Sequence, residues 1–331
     1  MKSQRLSYYF VLSAVFVLSA CSNTEYGGGN SLPYIEKILS DTESKEYLQL
    51  SSFNSISSRG NIVVMDNADR ALAFSDYFLT CDVFDNISGN DNPDMLPDFA
   101  GENVVEISDN GNTPYSNILP DRKAMRTATV KSVIATLDSV SSAKITVLSS
   151  PFMAEYGMSD VDTLLYATDC ALLVVSPLRL IASQTRNLKG IAVFADSEAV
   201  GTDIYSQIFR DRNVFVYDCD SLPSMKSFLE QYMVENQDAL DMVVIDNVNV
   251  DVNALSTELE SFFDVENYDN LALRQMIGTE FRIVDVRDVA AREVYRLMRK
   301  GNLFTHAISY PEKIELRTDY IGDYSLYNVQ D

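Results

Sequence analysis

The chain has 331 residues, 46% of them hydrophobic, and a formal net charge of −22 at pH 7. The apolar share is enough to bury a core, which excludes a disordered chain. The charge excludes a nucleic-acid partner, because no basic stripe exists to release counterions, and it gives no basis for docking on anionic lipid by charge.

The N-terminus reads as an export signal. Lys2 and Arg5 form a positive start, and Tyr8 to Val17 form an apolar run too short for a membrane span. Leu18-Ser19-Ala20-Cys21 resembles the bacterial lipobox, in which the cysteine is lipidated and becomes the first residue of the mature protein. The expectation is a signal peptide over 1–20 and a lipidated tether over 21–33. The body would then sit in the bacterial cell envelope, periplasmic or surface-facing, anchored to a membrane without spanning it.

With Cys21 modified, Cys81, Cys170 and Cys219 remain, so at least one thiol is free; each reads as a buried small hydrophobe. No cysteine or histidine spacing suggests zinc, and His306 is the single histidine, which leaves no ready Ser-His-Asp triad. No metal or cofactor is expected.

Taken in order, 34–60 reads as a helical extension, with Ile35, Ile38, Leu39 and Leu48 at helical spacing. Asn61 to Met65 is a buried strand, and Arg70 to Phe78 a helix. Cys81 to Gly101 reads as a surface loop; it lacks the DxDxDG spacing and closing glutamate of a calcium loop. Glu102 to Ile107 is a strand and Arg122 to Val140 a helix. Lys144 to Leu148 is a strand stopped by Ser149, Ser150 and Pro151, as at the carboxyl end of a parallel strand.

Further on, strands are predicted over Ala171 to Val175, Gly190 to Ala195, Val214 to Tyr217, Asp241 to Ile245 and Phe281 to Val284. Helices are predicted over Val161 to Thr168, Leu178 to Thr185, Pro223 to Met233 and Val289 to Arg299, with loop and helix over Asp196 to Arg210. This alternation implies an α/β fold of two similar lobes with mostly parallel sheets, over 61–186 and 187–331. In such sheets ligands bind outside the carboxyl ends of the strands.

The order of strand-end motifs resembles the aspartate/glutamate racemase superfamily, glutamate racemase most closely. Met65-Asp66-Asn67-Ala68 stands where that family has Phe-Asp-Ser-Gly, and Asp109 through Tyr115 is similar to its Asp-Thr-x-x-x-Pro-Tyr-Gly loop. Lys144 to Pro151 stands at its Ala-Cys-Asn-Thr strand end, and Val174-Val175-Ser176-Pro177 resembles Val-Val-Glu-Pro. Asp241 to Asn249 stands at its second cysteine segment, and Ala290 to Val294 resembles its final helix.

The resemblance implies a cofactor-independent isomerase in which two thiols exchange the Cα proton from opposite faces. Here Ser150 and Asn247 occupy the two cysteine positions. A serine needs an adjacent base, and an amide is no base at all. The two-thiol mechanism is therefore read as absent. The polar set Asp66, Asn67, Asp109, Asn112, Tyr115, Ser149, Ser150, Ser176 and Asn247 is expected to line an inter-lobe cleft for a small polar metabolite, an amino acid or cell-wall fragment.

Three alternatives stay open. The cleft residues could be turn and cap residues of a scaffold whose cleft is filled by side chains such as Phe152 or Met153. They could belong to a working isomerase using Ser150, Asp66, Asp246 or Tyr115. The lobes could also be those of a binding protein serving a transporter.

Overall fold

The computed structural model describes residues 31–138, 142–219, 224–236, 238–263, 270–305, 312–321 and 323–328. The expected signal peptide, Cys21, most of the tether and His306 lie outside the described residues. No helix among the described residues is long and apolar enough to cross a membrane.

Two short helices, α1 (Pro33–Ser40) and α2 (Lys45–Ser52), precede the first strand. Ile35, Ile38 and Leu50 drop into the main core, so this extension is packed on the body. Then follow β1 (Asn61–Asp66), α3 (Ala68–Thr80), β2 (Asn103–Asp109), α4 (Arg122–Thr136) and β3 (Ala143–Leu148). Three helices, α5 (Pro151–Glu155), α6 (Met158–Ala167) and α7 (Pro177–Gln184), surround β4 (Leu173–Val175). Proline opens α5 and α7, where the missing N–H costs nothing and the fixed φ suits a first turn.

The second half runs β5 (Gly190–Ala195), α8 (Ile204–Ile208), β6 (Asn213–Asp218), α9 (Met225–Glu235) and β7 (Leu240–Asp246). It continues through α10 (Val252–Phe262), α11 (Leu271–Gln275), β8 (Ile277–Asp285) and α12 (Val286–Gly301). The chain ends in β9 (Glu312–Ile321) and β10 (Asp323–Asn328).

The strands form two sheets, β10-β9-β2-β1-β3-β4 and β6-β5-β7-β8. Every pairing is parallel except the β9–β10 hairpin. The central strands are buried on both faces, which is why they read as unbroken apolar runs. One core cluster joins the first sheet to Ile191, Val193, Met242 and Val244 of the second. The far face of the second sheet holds another cluster around Phe194, Phe215 and Phe228.

Two expectations need correction. The span 187–331 is not confined to the second sheet: beyond α12, β9 crosses back and pairs with β2 from Asn103↔Glu312 to Asp109↔Thr318. The span 187–331 therefore contributes strands to both sheets. Nor is Cys81 to Gly101 simply surface. Phe84 and Phe99 are buried, and Phe84 stacks on Tyr295 at 4.2 Å because Asp98 accepts hydrogen bonds from the backbone of Val83 and Phe84 and folds the loop inward.

At the amino end of the first sheet, Lys144 is fully buried and donates to Glu102 (2.5 Å), Ser58 O (3.0 Å) and Leu303 O (2.9 Å). All three ammonium protons are thus satisfied, although burial lowers the Lys144 pKa. Lys144→Ala leaves Glu102 buried without its cation and is expected to destabilise by about 3–5 kcal/mol in urea unfolding. The double change Lys144→Met with Glu102→Leu should cost much less, because no charge is left stranded.

Candidate functional site

The carboxyl ends of the two sheets meet between the lobes, and a charged residue from the first lobe occupies that meeting point. Asn67 caps α3, its Oδ1 accepting from the backbone N–H of Arg70 at 2.9 Å. That cap sets Arg70 in the first turn, one turn after Asp66, with its side chain running toward the second lobe.

All five guanidinium N–H groups of Arg70 find protein acceptors. Nε donates to Asp66 Oδ2 (3.1 Å), and Nη1 to Asp246 O (3.0 Å) and Asp196 Oδ2 (3.4 Å). Nη2 donates to Ser149 O (2.8 Å) and Asp246 Oδ1 (2.6 Å). The guanidinium also lies 5.7 Å from the centre of the Phe74 ring. Around it, Ser149 Oγ donates to Asp66 Oδ2 at 2.6 Å, and Tyr205 OH to Asp246 Oδ2 at 2.7 Å. Asp66, Ser149, Tyr205 and Asp246 have no exposed surface, and Arg70 has 3%. The centre is closed, and each strong donor in it is matched.

A second cluster stands beside it. Asp109 accepts from Asn112 Nδ2 (2.9 and 3.1 Å) and from Tyr115 OH (3.4 Å). Across the lobes, Glu198 Oε1 accepts from the backbone N–H of Ser116 at 3.0 Å.

Burial dominates the electrostatics. It pushes Asp66, Asp109 and Asp246 up to about 6; Arg70 opposes the rise at Asp66 and Asp246, and Asn112 opposes it at Asp109. Burial also works against the charge on Arg70, yet Asp246, Asp66 and Asp196 hold its pKa well above the usual value. Tyr205 and Tyr115 are raised by burial and then by Asp246 and Asp109 respectively. One guanidinium is thus shared among three carboxylates, and the surplus acid keeps its proton toward neutral pH.

The expected site residues divide into groups. Asp66 and Ser149 belong to the Arg70 network, and Asp109, Asn112 and Tyr115 form the neighbouring cluster. Three others serve the backbone. Asn67 caps α3, and Ser150 Oγ caps α5 by accepting from Met153 N (3.4 Å). Asn247 shapes a turn, donating to Ala195 O (3.1 Å) and accepting from Asn249 N (2.9 Å). Ser176 is buried at the start of α7, its hydroxyl without a partner among the described residues.

Arg70, Asp246, Tyr205 and Asp196 complete the centre and were outside the expected ligand-binding set. One sequence signal does point to Arg70: a cation in a helix first turn opposes the helix dipole and implies a specific anion.

Among the described residues, the side-chain hydrogen bonds of Ser150 and Asn247 go to backbone groups, not to an acid or amine. Cys81 and Cys219 are buried and Cys170 is partly so. Burial raises the thiol pKa of Cys81 and of Cys170, the reverse of activation. Among the described residues no group of three or more acids, cysteines or histidines is arranged to hold a metal ion.

No protein-family model matches the chain, and no curated protein is similar to it by sequence. Solved structures do share its architecture. The glutamate racemase of Thermus thermophilus, in complex with beta-chloro-D-alanine, superposes with a TM-score of 0.50 at 12% identity, covering 81% of this chain and 90% of that one. The Francisella tularensis enzyme, in complex with D-glutamate, gives 0.49 at 14% identity over 80% and 90%. That of Bacillus anthracis gives 0.49 at 12% over 79% and 89%. At such identities the likeness concerns the fold: this chain has an Asp/Glu racemase-like α/β fold.

Proposed function

We propose that this chain is a non-racemising lipoprotein of the cell envelope whose racemase-like body binds a partner instead of turning over an amino acid. The observation that carries the reading is Arg70. It fills the point between the strand ends with a side chain whose every N–H is already engaged, so Arg70 keeps no donor for a substrate carboxylate. Phe152 and Met153 pack in the core, and the filling is done by a cation tied to both lobes. Ser150 and Asn247, at the positions of the two thiols in the resemblance, serve as a helix cap and a turn. The lipid anchor at Cys21 supplies attachment, since a charge of −22 does not.

A second reading has one observation in its favour. Asp66, Asp109 and Asp246 hold protons up to about pH 6, as acid–base groups do. Protonation of a carboxylate facing Arg70 would free a donor for a small polar ligand, and an isomerase could then use Asp66.

Incubation of the chain with glutamate, aspartate and other amino acids in heavy water separates these readings. Mass spectrometry is expected to find no deuterium at Cα. Incorporation that disappears in Asp66→Asn would establish proton transfer at this centre and overturn the non-racemising reading.

A further inference from the structure

Away from the sealed centre, an open groove of about 1380 Å3 runs beside β8, and each residue from Thr279 to Asp285 lines it. That volume exceeds the roughly 300–1,000 Å3 of small-molecule sites. β8 is an edge strand; among the described residues its sheet partner is β7 alone. The facing wall comes from Tyr77 of α3, Leu180 and Ile181 of α7 and Val289 of α12, and Met242 and Val250 add apolar surface. An edge strand leaves every second residue's N–H and C=O directed outward, a template for a further strand.

The charges in the groove select the partner. Arg287 is paired with Asp285 and donates to Val248 O, and Arg292 contacts both Asp288 and Asp91. Arg282 has Glu280 as its neighbouring charge, and Arg296 has Glu293. Arg287 and Arg292 are thus ion-paired, and the seven carboxylates of the lining outnumber its four guanidinium groups. Asp82 and Asp251, by contrast, accept backbone N–H groups and have no cation partner among the described residues. The groove carries surplus negative charge, in a chain that is itself strongly acidic.

We propose that this groove receives an extended basic segment of a partner protein, added as a strand beside β8. Alternate side chains would be apolar, toward Val250 and Ile283, with lysine or arginine between them toward Asp82 and Asp251. The β7–β8 ladder is regular from Arg282 to Asp285 and irregular before it. The main-chain part of the recognition is therefore short, and side-chain contacts carry the remainder. This inference deepens the partner-binding reading and rests on it.

The test is calorimetric titration of the full chain with blocked nine-residue peptides in which lysine or arginine alternates with valine, isoleucine or phenylalanine. Saturable binding is expected, at least tenfold weaker when glutamate replaces the basic residues and at least tenfold weaker for Glu280→Lys, an exposed position. N-methylation of alternate peptide residues should weaken binding tenfold on one edge and leave it unchanged on the other. No binding, or binding indifferent to methylation of either edge, overturns the proposal. Amino-acid exchange in heavy water is read separately, so failure of the groove and failure of the non-racemising reading are distinguishable.

Discussion

Arg70→Ala is expected to destabilise the protein by about 3–5 kcal/mol, the usual cost of removing one member of a buried ion-pair network. The cost arises because Asp66 and Asp246 stay buried after their shared cation is gone, with only Ser149 and Tyr205 left to donate to their side-chain oxygens apart from the backbone N–H of Asn67. Urea unfolding at neutral pH measures it. Because Arg70 also holds Ser149 O and Asp246 O, its loss should separate the lobes and raise hydrogen exchange at the carboxyl ends of β3 and β7. A triple change, Arg70→Met with Asp66→Asn and Asp246→Asn, should recover most of the loss, since an apolar or neutral replacement strands no charge. If Arg70→Ala alone costs less than about 1 kcal/mol, as exposed pairs do, the centre is not a closed clasp.

Stability is expected to fall as pH rises from about 4 to 7. Asp66, Asp109 and Asp246 have folded-state pKa values near 6, raised from 3.8 chiefly by burial, and Asp98 behaves alike. Between those limits the folded protein binds more protons than the unfolded chain, so the slope of unfolding free energy against pH is negative. The contribution is fully present below pH 3.8 and is lost as pH passes 6. Each such group changes stability by about 1.4 kcal/mol per pH unit in the window, and sharing of Arg70 by Asp66 and Asp246 makes their sum less than additive. Chemical denaturation at pH 5 and pH 7.5 should show the higher midpoint at pH 5. Asp109→Asn should flatten the slope and stabilise at pH 7.5.

Much of the architecture is legible in the residues, for a definite reason. The runs at Asn61 to Met65, Lys144 to Leu148 and Gly190 to Ala195 are continuous and β-branched because their strands are covered on both faces. β9 escapes the same criterion because Lys313 to Leu316 alternates charged and apolar residues, the pattern of a strand with one covered face. Its place beside β2 depends on a chain reversal after α12 that no local pattern announces.

The centre was legible only in part. Asn67, Ser150 and Asn247 are residue types that serve equally in turns, caps and binding sites, and the sequence does not distinguish these uses. Alternation along a strand separates Asp246 from Asn247, and the structure resolves the pair by ending β7 at Asp246. The acid points to the centre, and the amide has already turned away. Arg70 and Asp246 are 176 residues apart, so their pairing follows from how the two sheets face each other.

The most direct measurement of the central claim is a nitrogen-15 NMR spectrum of the arginine side chains at pH 6.5, with Arg70 assigned by its lysine variant. A guanidinium held by five protein acceptors is expected to give resolved, solvent-protected Nε and Nη resonances that do not move when glutamate, aspartate or alanine is added. Rapidly exchanging Arg70 signals, or a saturable shift on adding an amino acid, would contradict the account and identify the inter-lobe centre as an open ligand site.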